Sequence, residues 1–456
     1  MTVGGAPGYT ATFRPSPPDM HTLEQLRAGA LHGVQRLQLR GGLTEFPREI
    51  FDLADTLEIL DLTDNALSAL PDDLPRLQRL RILFCSNNRF TELPAMLGRM
   101  PALTMVGFKA NRIDSVPASA LPPQLRWLVL TDNRIAHLPP ELGRRPALQK
   151  LMLAGNCLSS LPAEMAQLRQ LELLRISANA FAELPAWLVT LPCLAWLACA
   201  GNPWSAARAQ AMSTVPAPLV EWNQLALQQQ LGEGASGVIY RAAWKHAGRD
   251  EQVAVKLYKG SMTSDGSPLN EMAACVAAGL HPNLVPVRGR VANHPEHAHG
   301  LVMALIDPAF VNLAGPPSFA SCTRDVYDAG KRFDCPALLN IASGVAAAAA
   351  QMHERGLMHG DLYGHNILHD AAGNSLLSDF GAAAFYDPSQ PHALALQQLE
   401  VRAFGLLLEE LLERCDAPPA GQAQLTALQA ACVQPDVTAR PLFAAIAAQL
   451  RAIKQD

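Results

Sequence analysis

Asparagine recurs at Asn65, Asn88, Asn111, Asn133, Asn156, Asn179 and Asn202, in steps of 23 residues with a single step of 22. Each closes the pattern L-x-x-L-x-L-x-x-N or a close apolar variant, as in Leu57-Glu58-Ile59-Leu60-Asp61-Leu62-Thr63-Asp64-Asn65. An opening copy, Val34 to Gly42, carries glycine in place of the asparagine, which makes eight copies. A unit this short cannot enclose a core of its own, so its apolar positions are buried only when copies stack. The pattern therefore predicts a solenoid, with the first, fourth and sixth positions of each copy pointing inward. The asparagine amide turns inward too, to hydrogen-bond backbone groups that the turn leaves unpaired, which makes these asparagines structural rather than ligand-binding. Most copies continue into an L-P step, such as Leu70-Pro71, Leu93-Pro94, Leu138-Pro139, Leu161-Pro162 and Leu184-Pro185. The proline ends the turn and sets an extended or short 3₁₀ convex side.

On this pattern the segment is identified as a member of the leucine-rich-repeat family. The third position of successive copies runs Arg36, Ile59, Ile82, Met105, Trp127, Lys150, Leu173, Trp196, and the fifth runs Gln38, Asp61, Phe84, Gly107, Val129, Met152, Arg175, Ala198. These positions face the concave sheet, and the middle of the rows is apolar where solvent would favour polar residues. Either a separate protein or peptide docks there, or another part of the chain covers it; the first is the expectation. Residues 21–33 read as an amphipathic cap helix. The alanine-rich run 206–212 reads as a short helix closing the solenoid's other end, and Pro216-Ala217-Pro218 as a semi-rigid spacer.

The second half carries different chemistry. Leu231-Gly232-Glu233-Gly234-Ala235-Ser236-Gly237-Val238-Ile239-Tyr240 spaces three glycines as G-x-G-x-x-G, which lets backbone N–H groups approach a triphosphate without Cβ atoms in the way. That string alone is ambiguous, because dinucleotide-binding folds use it between a strand and a helix. Here the next segment, Gln252 to Tyr258, alternates like another strand and contains Val-Ala-Val-Lys ending at Lys256, nineteen residues after Gly237. A helix expected from Pro268 offers Glu271, the sole acid between Gly266 and His281, as a partner for that lysine. Further on come His359-Gly360-Asp361-Leu362, Asn366, and, eighteen residues past Asp361, Asp379-Phe380-Gly381. The spacing supplies a carboxylate for an attacking hydroxyl and a pair of oxygen ligands for Mg²⁺ at separate points.

In this order the motifs closely resemble a protein kinase catalytic domain over 223–456. The resemblance extends through the apolar run at Leu301-Val302-Met303, the helical run Ile341 to Arg355, Glu400 to Leu407, and Arg440-Pro441-Leu442-Phe443. It implies ATP and Mg²⁺ as cofactors, Asp361 as catalytic base, Asn366 and Asp379 as metal ligands, and Lys256 with Glu271 as the activating pair. It further implies a nucleotide site formed by Leu231, Gly232, Gly234, Gly237, Ile239, Ala254, Lys256 and Met303.

Three departures from the family bear on the acceptor. Gly360 replaces the catalytic-loop arginine, so no cation there receives an activation-loop phosphate. Tyr363 stands where protein-serine kinases usually carry a lysine, a role that His365 can partly fill when protonated. Only about twenty residues separate Asp379 from Glu400, with no Ala-Pro-Glu, so the peptide platform is shortened and Arg440 loses its usual glutamate partner. His-Gly-Asp is also the spelling of small-molecule phosphotransferases that share the fold, such as aminoglycoside kinases. A serine/threonine protein kinase is the main expectation; a small-molecule phosphotransferase and a pseudokinase scaffold stay open.

The expected architecture is a two-domain α/β chain, a leucine-rich-repeat solenoid followed by a bilobal α+β protein-kinase-like fold. Its divisions are a disordered tail at 1–20, the solenoid with its cap at 21–202, a cap and linker at 203–222, and the kinase-like domain at 223–456. A net charge of −5 and the lack of a basic stripe argue against nucleic acid as the main partner. No apolar run reaches about 18 residues without polar interruption, and the N-terminus lacks a signal-peptide profile, so no membrane span is expected. Nine cysteines without C-x-x-C or a Cys/His cluster read as reduced thiols in a cytoplasm. The reading is thus a soluble, bacterial-type leucine-rich-repeat protein kinase whose repeats recruit a protein partner.

Overall fold

The computed structural model describes residues 21–213, 217–246, 248–260, 263, 265–417 and 421–455. The expected tail at 1–20 and the first proline of the spacer lie outside the described residues. The chain divides into two compact units, with the boundary between Cys193 and Leu194.

In the first unit a helix, α1 (Leu23–Arg27), is much shorter than the cap expected over 21–33. Thr22 and Gln25 form a capping box at its start, and the chain leaves the helix at Gly29, whose φ of +72° a helix cannot accommodate. Seven three-residue strands follow, one per repeat: β1 (Arg36–Gln38), β2 (Ile59–Asp61), β3 (Ile82–Phe84), β4 (Met105–Gly107), β5 (Trp127–Val129), β6 (Lys150–Met152) and β7 (Leu173–Arg175). Consecutive strands pair in parallel at the fixed repeat offset, for example Leu60 with Leu83 and Leu128 with Leu151. The inward leucines Leu60, Leu83, Leu151 and Leu174 are fully buried. The convex side is a series of 3₁₀ segments, most of them entered from a proline such as Pro94 or Pro162, while Leu74–Arg76 is entered from Asp73.

The asparagines do what the pattern requires. Asn133 donates from Nδ2 to the carbonyls of Phe108, Leu130 and Thr131 at 2.9, 3.0 and 3.3 Å, and accepts from the N–H of Ile113 at 3.0 Å. Asn88 repeats this set one repeat back plus one further step, reaching Leu62, Cys85, Ser86 and the N–H of Leu67. One amide thus ties its own turn to the preceding repeat. The residue just before the asparagine is left-handed in turn after turn: Asp64, Asn87, Ala110, Asp132, Gly155 and Ala178 all have φ between 52° and 69°. Aspartate, asparagine and glycine tolerate that region; the two alanines meet a cost of about 1–2 kcal/mol that the ladder offsets.

The second unit opens with the eighth copy of the repeat strand, β8 (Trp196–Ala198), and a helix α2 (Pro203–Ser213) that extends the expected alanine run at both ends. Past the spacer, β9 (Leu219–Glu221) is already part of a six-stranded sheet, ordered β10-β11-β12-β14-β13-β9. Its other members are β10 (Leu225–Glu233), β11 (Gly237–His246), β12 (Arg249–Tyr258), β13 (Val287–Ala292) and β14 (Gly300–Ala304). Helix α3 (Pro268–Ala278) starts at Ser267, which caps it, with proline at the first helical position where no N–H is missed.

The helical lobe is built on α4 (Cys335–Glu354), α5 (Ala393–Leu412), α6 (Gln422–Cys432) and α7 (Phe443–Gln455). Small antiparallel pieces lie between them: β15 (Val311–Asn312) with β17 (Ile367–His369) and β18 (Ser375–Leu377), and β16 (Leu357–Met358) with β19 (Ala384–Phe385). By length and composition α4 alone among the described helices could cross a bilayer, yet it is mostly buried inside this lobe, with Ile341, Val345 and Met352 fully enclosed. All nine cysteines are free thiols.

Candidate active site

β10 and β11 form an antiparallel hairpin whose register shifts near Gly232, and the turn closes by a 2.9 Å bond from Gly234 N–H to Gly237 O. A Cβ on Gly237 would stand 2.5 Å from Leu257 O, so this glycine is demanded by close approach to β12. Gly234, by contrast, has no atom near the place a Cβ would occupy.

A cleft is lined by Ile239, Lys256, Tyr258, Glu271, Cys275, Met303, Ile306, Leu368 and Asp379 among others. Its lining is mostly apolar, with Lys256, Glu271 and Asp379 as the charged groups, a mixture that suits an aromatic base with a phosphate tail. Of the residues expected at the nucleotide, Ile239, Lys256 and Met303 line the cleft directly. Ala254 is fully buried beside them in the same apolar cluster, and Leu231 packs against that cluster from the hairpin.

Lys256 and Glu271 form an ion pair, with the lysine side chain 13% and the glutamate 2% exposed. Burial pulls the lysine pKa down, but the nearby charges of Glu271 and Asp379 and the bond to Glu271 more than offset this, so Lys256 is held protonated. Strand β12 supplies the lysine and α3 the glutamate, so the pair also ties sheet to helix. Asp379 sits in the left-handed region at φ +56°, with Oδ1 accepting from Gly381 N–H at 3.1 Å. An aspartate tolerates that conformation better than most residues, and here it directs the carboxylate into the cleft.

The loop carrying Asp361 and Asn366 follows β16. Asn366 Nδ2 donates to the backbone O and to Oδ2 of Asp361, both at 2.9 Å. Ser378 N–H and its hydroxyl both donate to Asn366 O, at 2.9 and 2.8 Å. His359 is wholly buried; its Nε2 meets Ser378 O at 2.9 Å and its ring packs against Phe380. The loop and the Asp379 segment are therefore bonded into one piece.

Sequence reading missed the group that anchors this piece. Glu400, on α5 and 1% exposed, accepts the N–H groups of His359 and Gly360 and meets His353 Nε2 at 2.7 Å. An acid in a run of leucines and alanines was the available signal. Burial pushes this carboxyl up, but His353 chiefly, with His359 and the Gly360 N–H, pulls it below the usual glutamate range. A depressed folded-state pKa means its contribution to stability is complete above the unfolded value of about 4.3 and is lost as pH falls through the folded one. The charged and titratable groups facing it are His353 from α4, His359 from the loop, and Tyr386 beyond β19. We expect the stability difference between wild type and Glu400→Gln, measured by urea unfolding from pH 7 to pH 3, to shrink as pH drops below the ordinary glutamate range. A difference that stays constant across that range would exclude this linkage.

A second unanticipated contact is at His365. Its Nδ1 lies 2.6 Å from Asp325 Oδ1, its backbone N–H donates to Asp325 Oδ2 at 3.0 Å, and the Asp325 side chain is fully enclosed. Burial lowers the imidazole pKa, but Asp325 raises it further, so the net shift favours the cation. Arg440 donates to the backbone oxygens of Gln434 and Gln398, at 2.8 and 3.2 Å, where the family's arginine would meet a glutamate.

A β-sheet lobe with a helical lobe, a glycine hairpin, a buried lysine–glutamate pair, and a bonded aspartate–asparagine loop with a second aspartate are the features of a protein-kinase-like domain. Comparison agrees on both halves of the chain. Residues 225–403 match the family model described as protein tyrosine and serine/threonine kinase, and residues 123–181 match that of leucine rich repeat. The chain joins leucine-rich repeats to a protein kinase domain. It is 31% identical to a CBL-interacting protein kinase 22 of Oryza sativa subsp. japonica, over 36% of this chain and 37% of that one. It is 28% identical to a cysteine-rich receptor-like protein kinase 41 of Arabidopsis thaliana, over 41% and 27%, and 30% identical to the serine/threonine-protein kinase PknF of Mycobacterium tuberculosis, over 37% and 35%. The chain thus spans little more than a third of the length of these relatives, or less. A solved leucine-rich-repeat protein of Leptospira interrogans aligns at 29% identity over 38% of this chain and 50% of its own, with a TM-score of 0.33.

Proposed function

We propose that this protein transfers the γ-phosphate of ATP to a serine or threonine hydroxyl of a protein acceptor. The observation that carries the proposal is the Lys256–Glu271 pair set in one cleft with Asp379. The residues fit a nucleotide with Mg²⁺. A protonated lysine stands ready for the α- and β-phosphates, and Asp379 and Asn366 present the hard oxygen donors that Mg²⁺ prefers. The bound metal and nucleotide would supply a polarised phosphoryl group; the rest is done by the chain. Leu231, Ile239, Ala254 and Met303 hold the base, and Gly232, Gly234 and Gly237 let the hairpin close on the phosphates. Asp361 orients the acceptor hydroxyl and takes its proton, with Asn366 holding its carboxylate in place. Gly360 leaves no cation to read an activation-segment phosphate, so treatment with a phosphatase should leave the rate unchanged.

The leucine-rich repeats, in this proposal, recruit the protein acceptor through the apolar row at Ile59, Phe84, Met105, Trp127 and Val129. The nine free thiols fit a reducing compartment, and we place the activity in the cytoplasm. A small-molecule acceptor is the second reading, favoured by one observation: only residues 380–392 lie between Asp379 and the start of α5 at Ala393. The test is Mg²⁺-dependent transfer of labelled γ-phosphate by the full-length protein, alone and with generic protein and amino-sugar acceptors, with Asp379→Asn as control. We expect incorporation into protein that falls by about two orders of magnitude or more in the variant, as loss of a metal ligand that stabilises transferring charge should give. Label in the amino-sugar alone would move the reading to the second acceptor class. No label anywhere, with ATP still raising the melting temperature, would leave a pseudokinase.

A further inference from the structure

The concave row of the repeats ends at Trp196, a position expected to meet a partner. Trp196 instead belongs to the kinase unit and is 2% exposed, spent within the chain. Its ring stacks on Tyr363 with centroids 4.2 Å apart and planes 5° from parallel, and its Nε1 donates to Leu362 O at 3.1 Å. The next residue presses on the same loop: a Cβ on Gly360 would stand 2.6 Å from Leu197 O. Residues 196 and 197 thus touch Gly360, Leu362 and Tyr363, on both sides of Asp361. Tyr363 in turn leads the 3₁₀ turn Gly364–Asn366, and its ring neighbours His365 at 4.9 Å.

The loop has supports of different origin, among them Asp325 and Asn312 at His365. Glu400 holds the N–H groups of His359 and Gly360 from the helical lobe. Trp196 holds Leu362 and Tyr363 from the last repeat strand. Trp196 thus reaches the stretch that lies between the Glu400 anchor at Gly360 and the Asp325 anchor at His365. An indole that both stacks and donates sets position and rotation of the loop at once, which is what a displacement-sensitive general base needs.

We infer that Trp196 is a positioning residue for the catalytic loop, through which the last leucine-rich repeat holds Asp361 and Asn366 in register for phosphoryl transfer. An arginine reading an activation-segment phosphate would otherwise help set this loop; here the repeat strand occupies its place and the setting is permanent. The kinetic side of this inference rests on the kinase function proposed above, and the exchange side does not.

The experiment compares full-length wild type with Trp196→Phe, Trp196→Ala, Tyr363→Ala and the Trp196→Ala/Tyr363→Ala double variant. Steady-state transfer at varied ATP should give kcat lowered on the order of tenfold to 100-fold in Trp196→Ala with KM for ATP little changed. Trp196→Phe, which keeps a stacking ring, should recover much of the loss, and the double variant should lose no more than the worse single one. Amide hydrogen exchange should accelerate at 360–366 while α4 and α7 keep their protection. Exchange that rises equally everywhere in Trp196→Ala and in Tyr363→Ala would reduce the stack to ordinary core packing and overturn the inference. So would unchanged exchange at 360–366. Should the wild type transfer no phosphate, the kinase proposal falls and the exchange pattern alone decides this one.

Discussion

Asp361→Asn should lower phosphate transfer by about 10² to 10⁴ while ATP still stabilises the fold, because the change removes a proton acceptor and little else. The wild-type carboxylate accepts from Asn366 Nδ2 at 2.9 Å through Oδ2. An asparagine at 361 can keep that bond by turning its amide oxygen toward Asn366, so the loop retains its geometry. The lysine–glutamate pair and Asp379 are untouched, and they carry the contacts to phosphate and metal in the proposed mechanism. Two measurements check this: initial rates of labelled transfer at saturating ATP, and the shift in melting temperature on adding ATP with Mg²⁺. A variant rate within about threefold of wild type would remove Asp361 from the role of base, because general-base loss costs far more than that. A normal rate loss accompanied by loss of the ATP shift would instead mean that the loop had collapsed.

Gly360→Arg, which restores the residue usual in the family, should damage this protein rather than convert it to a phosphate-regulated form. Gly360 has φ +74°, and a Cβ there would lie 2.6 Å from Leu197 O and 2.6 Å from Ala382 O. Both obstacles are backbone and cannot swing aside as a side-chain tip would. A left-handed non-glycine residue costs about 1–3 kcal/mol, and overpacking typically adds about 1–3 kcal/mol, so the destabilisation should be about 2–6 kcal/mol. Gly360→Ala should show most of it, since the first carbon already meets both oxygens. Denaturant unfolding of wild type and the two variants measures the loss. An arginine variant with the wild-type midpoint would show that the loop moves freely away from Leu197 and Ala382.

How much of this was legible in the sequence differs residue by residue. The asparagine ladder was fully legible, because a 23-residue period repeats the same short-range bonds and Asn88 or Asn133 needs only its own turn and the preceding one. Lys256 and Asp379 could be placed because each lies within a local string. Glu271 could be paired with Lys256 because no other acid was near on its helix. Glu400 was read as part of a helix but not as the anchor of the loop, since its partners His359 and Gly360 lie 41 and 40 residues away. Asp325 gave no signal at all; its bond to His365 spans 40 residues across a segment with no recognisable pattern.

Trp196 shows where the limit falls. Its place in the row of third positions was set by the repeat, which specifies the direction of a side chain from the backbone period alone. What that side chain meets was not specified, because the period says nothing about a loop 167 residues further along. The sequence by itself determined the two folds, the glycine hairpin and the identity of the charged residues, all of which depend on neighbours within one turn, strand pair or helix. Tertiary structure alone decided that Glu400 and Trp196 bond to the Asp361 loop, that Asp325 bonds to His365, and that Gly360 has no room for a side chain. Each of those depends on burial and on atoms brought within bonding distance from remote parts of the chain, and only the packed fold supplies them.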